Sequence, residues 1–506
     1  LPVDAGGTTV AGWILLAKLP EYLYNAVDVA FVVGLEESTG ARQEEQQMSK
    51  RTFLIVASLL CGLALASAGA SAETIWYVKA DAGGQNNGQS WEDAFTELQS
   101  ALAVAESSDE VWVAAGVYLP DYDVNSGEHT LDREGTFQLM NGVEIYGGFV
   151  GGETRRDQRN PDPNTNGTVL SGDLLGDDGP NFENNDENSI HVTTGSGTDE
   201  NAVLDGFTVK AGNADKYPND DEGAGMDNVR GSPTLTNCTF SGNSAKRDGG
   251  GMSNDNNANP TLTDCTFSNN SAMQGGGMYN ATSSPTLTNC TFTGNWARYG
   301  GGMCNWEDSH PTLTNCTFAA NKGAAVECNS HHNRNTVKIK NCILWNGGNE
   351  IWNNDGSTIT VTYSDVQGRW PGEGNIDADP FFVAGPLGCH YLSHEAAGQP
   401  QDSPCIDAGN PNSPMIDGTT RRDEVPDTDI VDMGYHYPIT GVGHVPGDSD
   451  ADGDVDMLDF ARLQACFTGP GPASPARGCC FFDFEPDGDI DLNDYAVFHA
   501  ALTGPK

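Results

Sequence analysis

Two stretches near the end of the chain set oxygen-bearing side chains at the spacing of a calcium-coordinating loop. Asp448, Asp450, Asp452, Gly453, Asp454, Asp456 and Asp459 fall at positions 1, 3, 5, 6, 7, 9 and 12, and Asp483, Glu485, Asp487, Gly488, Asp489, Asp491 and Asp494 repeat the series. Calcium is a hard cation that takes about six to eight oxygens, and the glycine permits the sharp turn that gathers them. Position 7 offers its backbone carbonyl, so the side chains of Asp454 and Asp489 need not ligate. A random acidic stretch would not set both the glycine and the last ligand correctly twice, so the pattern predicts two bound Ca2+ ions. Position 12 is Asp and not the usual bidentate Glu, as in short-loop variants followed by a single helix. Phe460 and Leu463, then Tyr495, Phe498 and Leu502, give the two following helices apolar faces that are expected to pack together.

The rest of the composition suits a large partner for this small module. The 506 residues carry 71 acidic against 25 basic side chains, a net charge of -46 that repels nucleic acid and anionic lipid and attracts divalent cations. A DNA-binding role is excluded. Apolar content of 37% is enough to bury a core, and 62 glycines point to a chain that turns often, as all-β architectures do.

Compartment is set near the start. Met48, then Lys50 and Arg51, the apolar run from Phe53 to Ala66, and Ala70-Ser71-Ala72 follow the order of a signal peptide, so residues 48–72 are expected to be removed and Glu73 to begin the mature chain. Lipid attachment at Cys61 fits less well, because bulky Leu60 precedes it inside the apolar run. Residues 1–47 begin with Leu and read as a spurious upstream extension. Their apolar stretches are too short and interrupted to cross a bilayer, and no other segment is a membrane candidate. A secreted or cell-surface location follows.

What positions any chemistry on the large domain is a repeat. Cys238, Cys265, Cys290, Cys316 and Cys342 recur at intervals of 25 to 27 residues. Leu235, Leu262, Leu287, Leu313 and Ile339 keep the same period, as do Phe240, Phe267, Phe292, Phe318 and Leu344, and Asn243, Asn270, Asn295 and Asn321. Glycine clusters precede Met226, Met252, Met278, Met303 and Val326. A unit this short cannot cover its own apolar face, so units must stack. Leucine-rich repeats want more Leu per unit and propeller blades want longer units. A coil of three short strands and three turns fits, predicting a right-handed parallel β-helix over 73–440, a linker at 441–447 and the calcium module at 448–506.

The strand logic requires a bend. Leu235 and Cys238 are three apart, which breaks the two-residue alternation of one strand face. A left-handed residue at Asn237 would let Leu235, Cys238 and Phe240 all point inward and leave Thr236 and Thr239 facing solvent. Stacked Asn237, Asp264, Asn289, Asn315 and Asn341 would form one hydrogen-bonded ladder, and the Asn243 column a second. The cysteine column reads as small buried apolar residues, not ligands or disulfides. At the start, Trp76 to Val78 and Val111 to Val113 read as strands. Ser90 caps a predicted helix whose apolar face runs from Trp91 to Ala105, laid over the first coil.

Tyr77-Val78-Lys79-Ala80-Asp81, Ser90-Trp91, Leu98-Gln99-Ser100-Ala101-Leu102 and Val111 to Tyr118, with the Asn-Cys-Thr-Phe and Gly-Gly-Gly-Met repeats, resemble bacterial surface β-helix proteins related to the polymorphic outer-membrane protein repeats. Asn375 to Pro380, Ser403 to Gly409 and Asp432 to Tyr435 resemble the closing segment of such proteins, sometimes grouped as a choice-of-anchor region. The resemblance implies location and shape more than activity. A disulfide between Cys389 and Cys405 is expected there. The duplicated loop-plus-helix tail resembles a type I dockerin, which implies docking to a cohesin-like or other cell-surface protein. Its recognition positions hold Met457-Leu458 and Leu492-Asn493, not the small hydroxyl pair of cellulosomal members. Cys466 with Cys479 or Cys480 is expected to staple the connection.

No known catalytic motif appears, and no catalytic residue is assigned. Two sets of variable turn residues could line a groove: Lys246, Arg247 and Asp248 with Gln274, Arg298 and Tyr299; and Trp306, Glu307, Asp308 and His310 with His331, His332 and Arg334. Paired carboxylates do not stand out at one repeat position. Trp296, Trp306, Trp345 and Trp352 favour glycan contact. The expectation is a non-enzymatic, glycan-binding or adhesive protein attached through its calcium module; the alternative is a polysaccharide lyase or glycoside hydrolase acting on acidic polysaccharide.

Overall fold

A computed structural model of the chain describes residues 74–216, 221–439, 455, 457–467, 482 and 490–502. The upstream stretch, the signal peptide, the linker and most of the calcium-loop side chains (Asp448, Asp450, Asp452, Asp454, Asp456, Asp483, Glu485, Asp487 and Asp489) lie outside the described residues.

Short strands return once per coil and pair in parallel with the coils before and after. Ten strands, the first Ile75–Val78 and the last Thr358–Thr362, make one sheet; nine, from Gly116–Tyr118 to Asp365–Val366, make a second; eight, from Phe137–Gln138 to Ile351–Asn353, make a third. A fourth sheet of four strands is added mid-solenoid by Asn213–Ala214, Ser244–Ala245, Ser271–Gln274 and Trp296–Tyr299, where three strands per coil were expected. Register is in phase with the repeat: Leu235 pairs with Leu262 and Leu262 with Leu287, Phe240 with Phe267 and Phe267 with Phe292.

The predicted bend is present in every coil. Asn237, Asp264, Asn289, Asn315 and Asn341 have φ between 48° and 54°, so the leucine, cysteine and phenylalanine columns all enter the core. Phe240, Phe267, Phe292 and Phe318 stack face to face with ring centroids 5.0, 4.7 and 4.5 Å apart. The column cysteines are buried free thiols, and Cys238 donates to the Thr236 carbonyl at 3.2 Å. The glycine clusters have a steric cause: a Cβ on Gly277 would lie 2.6 Å from the Gly302 carbonyl of the next coil.

Asparagine carries the polar order of the core. Asn243, Asn270, Asn295, Asn321 and Asn346 form an unbroken side-chain ladder at 2.9–3.0 Å per step. A second ladder, which sequence reasoning missed, joins Asn228, Asn254, Asn280 and Asn305 at 2.9–3.0 Å. The column at the bend is less regular. Asn289 and Asn341 reach the preceding coil, but Asn289 and Asn315 also donate to the His436 and Asp432 carbonyls of the closing segment.

The capping helix is shorter than predicted, Leu98–Leu102 only. Ser90 Oγ does accept from the Asp93 amide, but Phe95 exchanges backbone hydrogen bonds with Tyr77 and Lys79 of the first strand, which takes that stretch out of helical pairing. At the other end, antiparallel strands Phe382–Gly385 and Gly388–Leu392 lead into a closing segment that runs back over the second sheet. There Gly434 bonds Asn341, Tyr435 bonds Thr317 and His436 bonds Asn289. Thr239 and Thr291 are therefore buried beneath it and not solvent-facing. The Cys389–Cys405 disulfide is not formed. Cys405 is a free, buried thiol that donates to Asp365 at 3.3 Å, whereas Cys389 and Cys466 are each in disulfides.

In the tail, helices Met457–Cys466 and Leu492–Ala501 share an apolar core of Val455, Leu463, Ile490 and Phe498, with Phe460 and Tyr495 against it. Leu502 stays largely exposed.

Candidate functional site

The closing segment covers the second sheet loosely enough to leave a cavity of about 630 Å3. Outward strand positions alternate with core positions, so three successive coils each present two hydroxyls to it and the coil before them one. Thr208, Thr239, Thr266 and Thr291 form one row; Ser241, Ser268 and Thr293 form the other. Opposite them lie Tyr435, His436, Tyr437 and His390 from the closing segment, with Asp162, Asp264 and Asp417 at the margins. Tyr437 is held by its stack on Tyr391, 3.8 Å between centroids, and its hydroxyl accepts from the His390 amide.

The cavity is acidic, and among the described residues no Lys or Arg lines it. Burial pushes Asp264 up to about 6 despite the 2.6 Å bond from Asn289, and burial also raises Asp162. Thr239 Oγ1 has no hydrogen-bond partner although the residue is only 7% exposed.

The first predicted turn set does converge, into a crease between two walls. Glu222, Asp248, Gln274 and Tyr299 stack in register along one wall. Asp227, Ser253, Tyr279, Cys304, Glu327 and Trp352 stack along the facing third sheet. Arg247 lies between: Nη2 donates to Glu222 at 3.0 Å, and Nε is 3.3 Å from both Asp221 and Asp248. Carboxylates therefore do pair at one repeat position, Glu222 over Asp248. The signal was available in the sequence, since each immediately precedes a Gly-x-Gly-Met segment. Burial, then the charge of Asp255, raises Glu222 to about 7; burial, then Glu222, raises Asp248 to about 7; and burial raises Asp255 to about 6. Lys246 and Arg298 are exposed, and the Arg298 guanidinium lies 5.2 Å from the centroid of the Tyr299 ring.

These shifts have a stability consequence with a definite sign. A carboxyl whose folded value is raised holds its proton in the native state while the unfolded chain has released it, so stability falls as pH climbs from about 4 toward 7. Thermal midpoints measured between pH 5 and about 8 are expected to decline with pH. The Glu222→Gln/Asp248→Asn protein should show a distinctly flatter profile, and an unchanged slope would contradict the crease as its source.

The second predicted turn set is structural. The Glu307 carboxylate accepts from the amides of His331, His332 and Asn333 at 2.9–3.1 Å, bonds that hold it below the usual carboxylate range. His310 accepts from the Thr336 amide, and Trp306 packs edge-on against His331. Of the four tryptophans, Trp296 and Trp352 are half exposed, whereas Trp345 packs against the cluster beneath the closing segment.

Of the predicted calcium ligands, Asp459, Asp491 and Asp494 are described. Asp459 and Asp494 each stand third in their helix and are buried, and Asp491 caps the second helix through the Asn493 amide while its own amide donates to Asp494. Buried carboxylates at equivalent places in two loop-helix units suit cation ligation.

The strand register defines this chain as a right-handed parallel β-helix protein with an acidic cavity under its closing segment. Residues 178–366 match the right-handed β-helix region family. No curated protein matches the chain. Among solved structures it is similar to pectate lyase Pel9A at 13% identity and a TM-score of 0.34, covering 72% of this chain and 98% of that one. A pectin methylesterase from Aspergillus niger gives 12% identity and 0.26 over 61% and 84%, and a rhamnogalacturonan lyase 12% and 0.28 over 62% and 91%. Among the described residues, no helix is long and apolar enough to cross a membrane.

Proposed function

We propose that this is an exported glycan-binding β-helix protein, non-enzymatic at its cavity and attached through a dockerin-like tail that closes around two calcium ions. The cavity carries the reading. Its volume lies within the range of about 300–1,000 Å3 common to small-ligand pockets. Rows of hydroxyls facing tyrosines suit a sugar, whose ring edges hydrogen-bond and whose faces pack on aromatics. The carboxylates argue for a neutral glycan and against a uronate, which would meet like charge with no Lys or Arg to offset it. The tail's support is the duplicated Asp-Gly spacing and the equivalent burial of Asp459 and Asp494; its partner would be a cohesin-like or other surface protein.

The Ser268→Trp protein tests this reading, because the side chain lines the cavity and bonds only Ser241 across one coil. Affinity for a neutral oligosaccharide found by array screening is expected to fall at least about tenfold, or 1.4 kcal/mol, with the thermal midpoint little changed. Equal binding by both proteins would place the ligand elsewhere.

A second reading rests on the crease. Burial raises Glu222 and Asp248, so that either would serve as a general acid, and a neighbouring carboxylate that stays ionised would supply the second role that glycoside hydrolysis needs; a lyase would need a free base, and Arg247 is tied to three carboxylates. Release of reducing ends from a polysaccharide, lost in Glu222→Gln, would favour this reading over the first.

A further inference from the structure

We propose that the loop between Ser171 and Ser189 is a calcium site on the solenoid itself, separate from the tail. The loop leaves the second sheet after Thr168–Ser171 and is closed at its base by the Ser189 amide bonding the Gly172 carbonyl at 2.8 Å. Within it, one carboxylate oxygen from each of Asp173, Asp177 and Glu187 lies within 4.8 Å of the other two. Asp178 adjoins them through Asn188, whose Nδ2 donates to Asp178 Oδ2 at 2.8 Å. Four acids thus crowd one loop; the charge of Lys210 bears on Asp178, and Arg133 Nε donates to the Asn188 carbonyl at 2.6 Å.

Crowded acids alone would not make a site. The independent observation is a run of buried oxygens without donors. Asn188 is 1% exposed, yet its Oδ1 accepts from nothing; Ser189 is fully buried, yet its Oγ has no partner; and Glu187 Oε1 is likewise unbonded. The Asn188 side chain is anchored to Asp178 by its amide nitrogen, which leaves its carbonyl oxygen unpaired beside that carboxylate. Buried acceptors normally meet an N–H or O–H. Here three unpaired acceptors fall on the consecutive residues 187–189 of a loop that holds four acids; the Asp173 carboxylate already takes the amides of Gly176, Asp177 and Asp178, and the remaining acceptor excess is one that a cation satisfies and a further carboxylate only worsens.

The donor set selects the ion. All candidate ligands are oxygens, three or four of them anionic and one a neutral amide, with no thiolate or imidazole to favour zinc or copper. Their irregular loop geometry suits calcium, which accepts variable coordination and bond lengths, better than magnesium, which demands a near-ideal octahedron and keeps its waters. Burial and the neighbouring charges of Asp173 and Asp177 raise Asp178 and Glu187, so an ion that neutralises the loop would lower both.

Equilibrium dialysis of the full chain against about 1 mM calcium tests the site. The Asp177→Asn/Glu187→Gln protein, checked for native circular dichroism, is expected to bind about one ion fewer than the parent. A second full-length protein with both tail loops disabled, Asp452→Asn/Asp487→Asn, is expected to keep about one ion, and to lose it when the two loop substitutions are added. A folded loop variant with the parental count overturns the proposal, as does a tail-disabled protein that binds none. Because each comparison is a difference, failure of the tail reading would change the parental count without touching this result.

Discussion

Asn295→Ala is expected to lower the unfolding free energy by about 1–3 kcal/mol, because the buried Asn270 amide loses its acceptor, whereas the Phe267 carbonyl keeps its strand pairing to the next coil. The Asn295 side chain accepts from the Asn270 amide at 3.1 Å and donates to the Phe267 carbonyl at 2.9 Å, while joining the ladder to Asn270 above and Asn321 below. Alanine supplies neither bond, and the site is too enclosed for water to replace them. Urea denaturation followed by circular dichroism would measure the loss through the shift in midpoint. A change below about 1 kcal/mol would mean the ladder is not satisfied by side chains in the way described.

Phe292→Ala should be more severe, about 3–5 kcal/mol, for an unrelated reason. Phe292 lies between Phe267 and Phe318, its ring nearly parallel to both, with interplanar angles of 5° and 2°. Truncation leaves a cavity flanked by two rings that cannot close on it, since their backbones are fixed by parallel pairing to the coils on either side. Phe292→Leu retains most of the volume and should lose no more than about half as much. The same denaturation experiment separates the two. Equal losses would indicate that stacking itself, and not filled volume, dominates this column.

Both effects were foreshadowed by columns of identical residues. A coil of this length has no independent core, so its apolar side chains and its asparagines must recur in phase with the stacking period, and the register of Leu235, Cys238, Phe240 and Asn243 could be read from the repeat. Even the left-handed bend at Asn237 followed, because a three-residue spacing between inward side chains admits few other backbone solutions. The Asn228 to Asn305 ladder is equally legible, two residues after each coil's Met, and so is the pairing of Glu222 over Asp248, each immediately before its glycine cluster.

The functional surface behaved differently. Glu307 and the paired histidines looked like groove residues, yet the carboxylate is consumed by three backbone amides of the neighbouring turn. Thr239 looked like solvent-facing strand and is instead buried in the wall of the cavity. Spacing cannot report either fact, because a turn side chain's partner is set by where the next coil's turn happens to lie.

By itself the amino-acid sequence determined the period, the inward columns, the bend and the calcium-loop spacing, all consequences of local geometry repeated in phase. Tertiary structure alone decided that residues 382–438 fold back along the second sheet and that Cys405 sits beside Asp365, away from any disulfide. It also decided that hydroxyls from separate coils share one enclosed space. Those outcomes depend on contacts between segments as much as 147 positions apart, such as Asn289 with His436, for which no periodic signal exists.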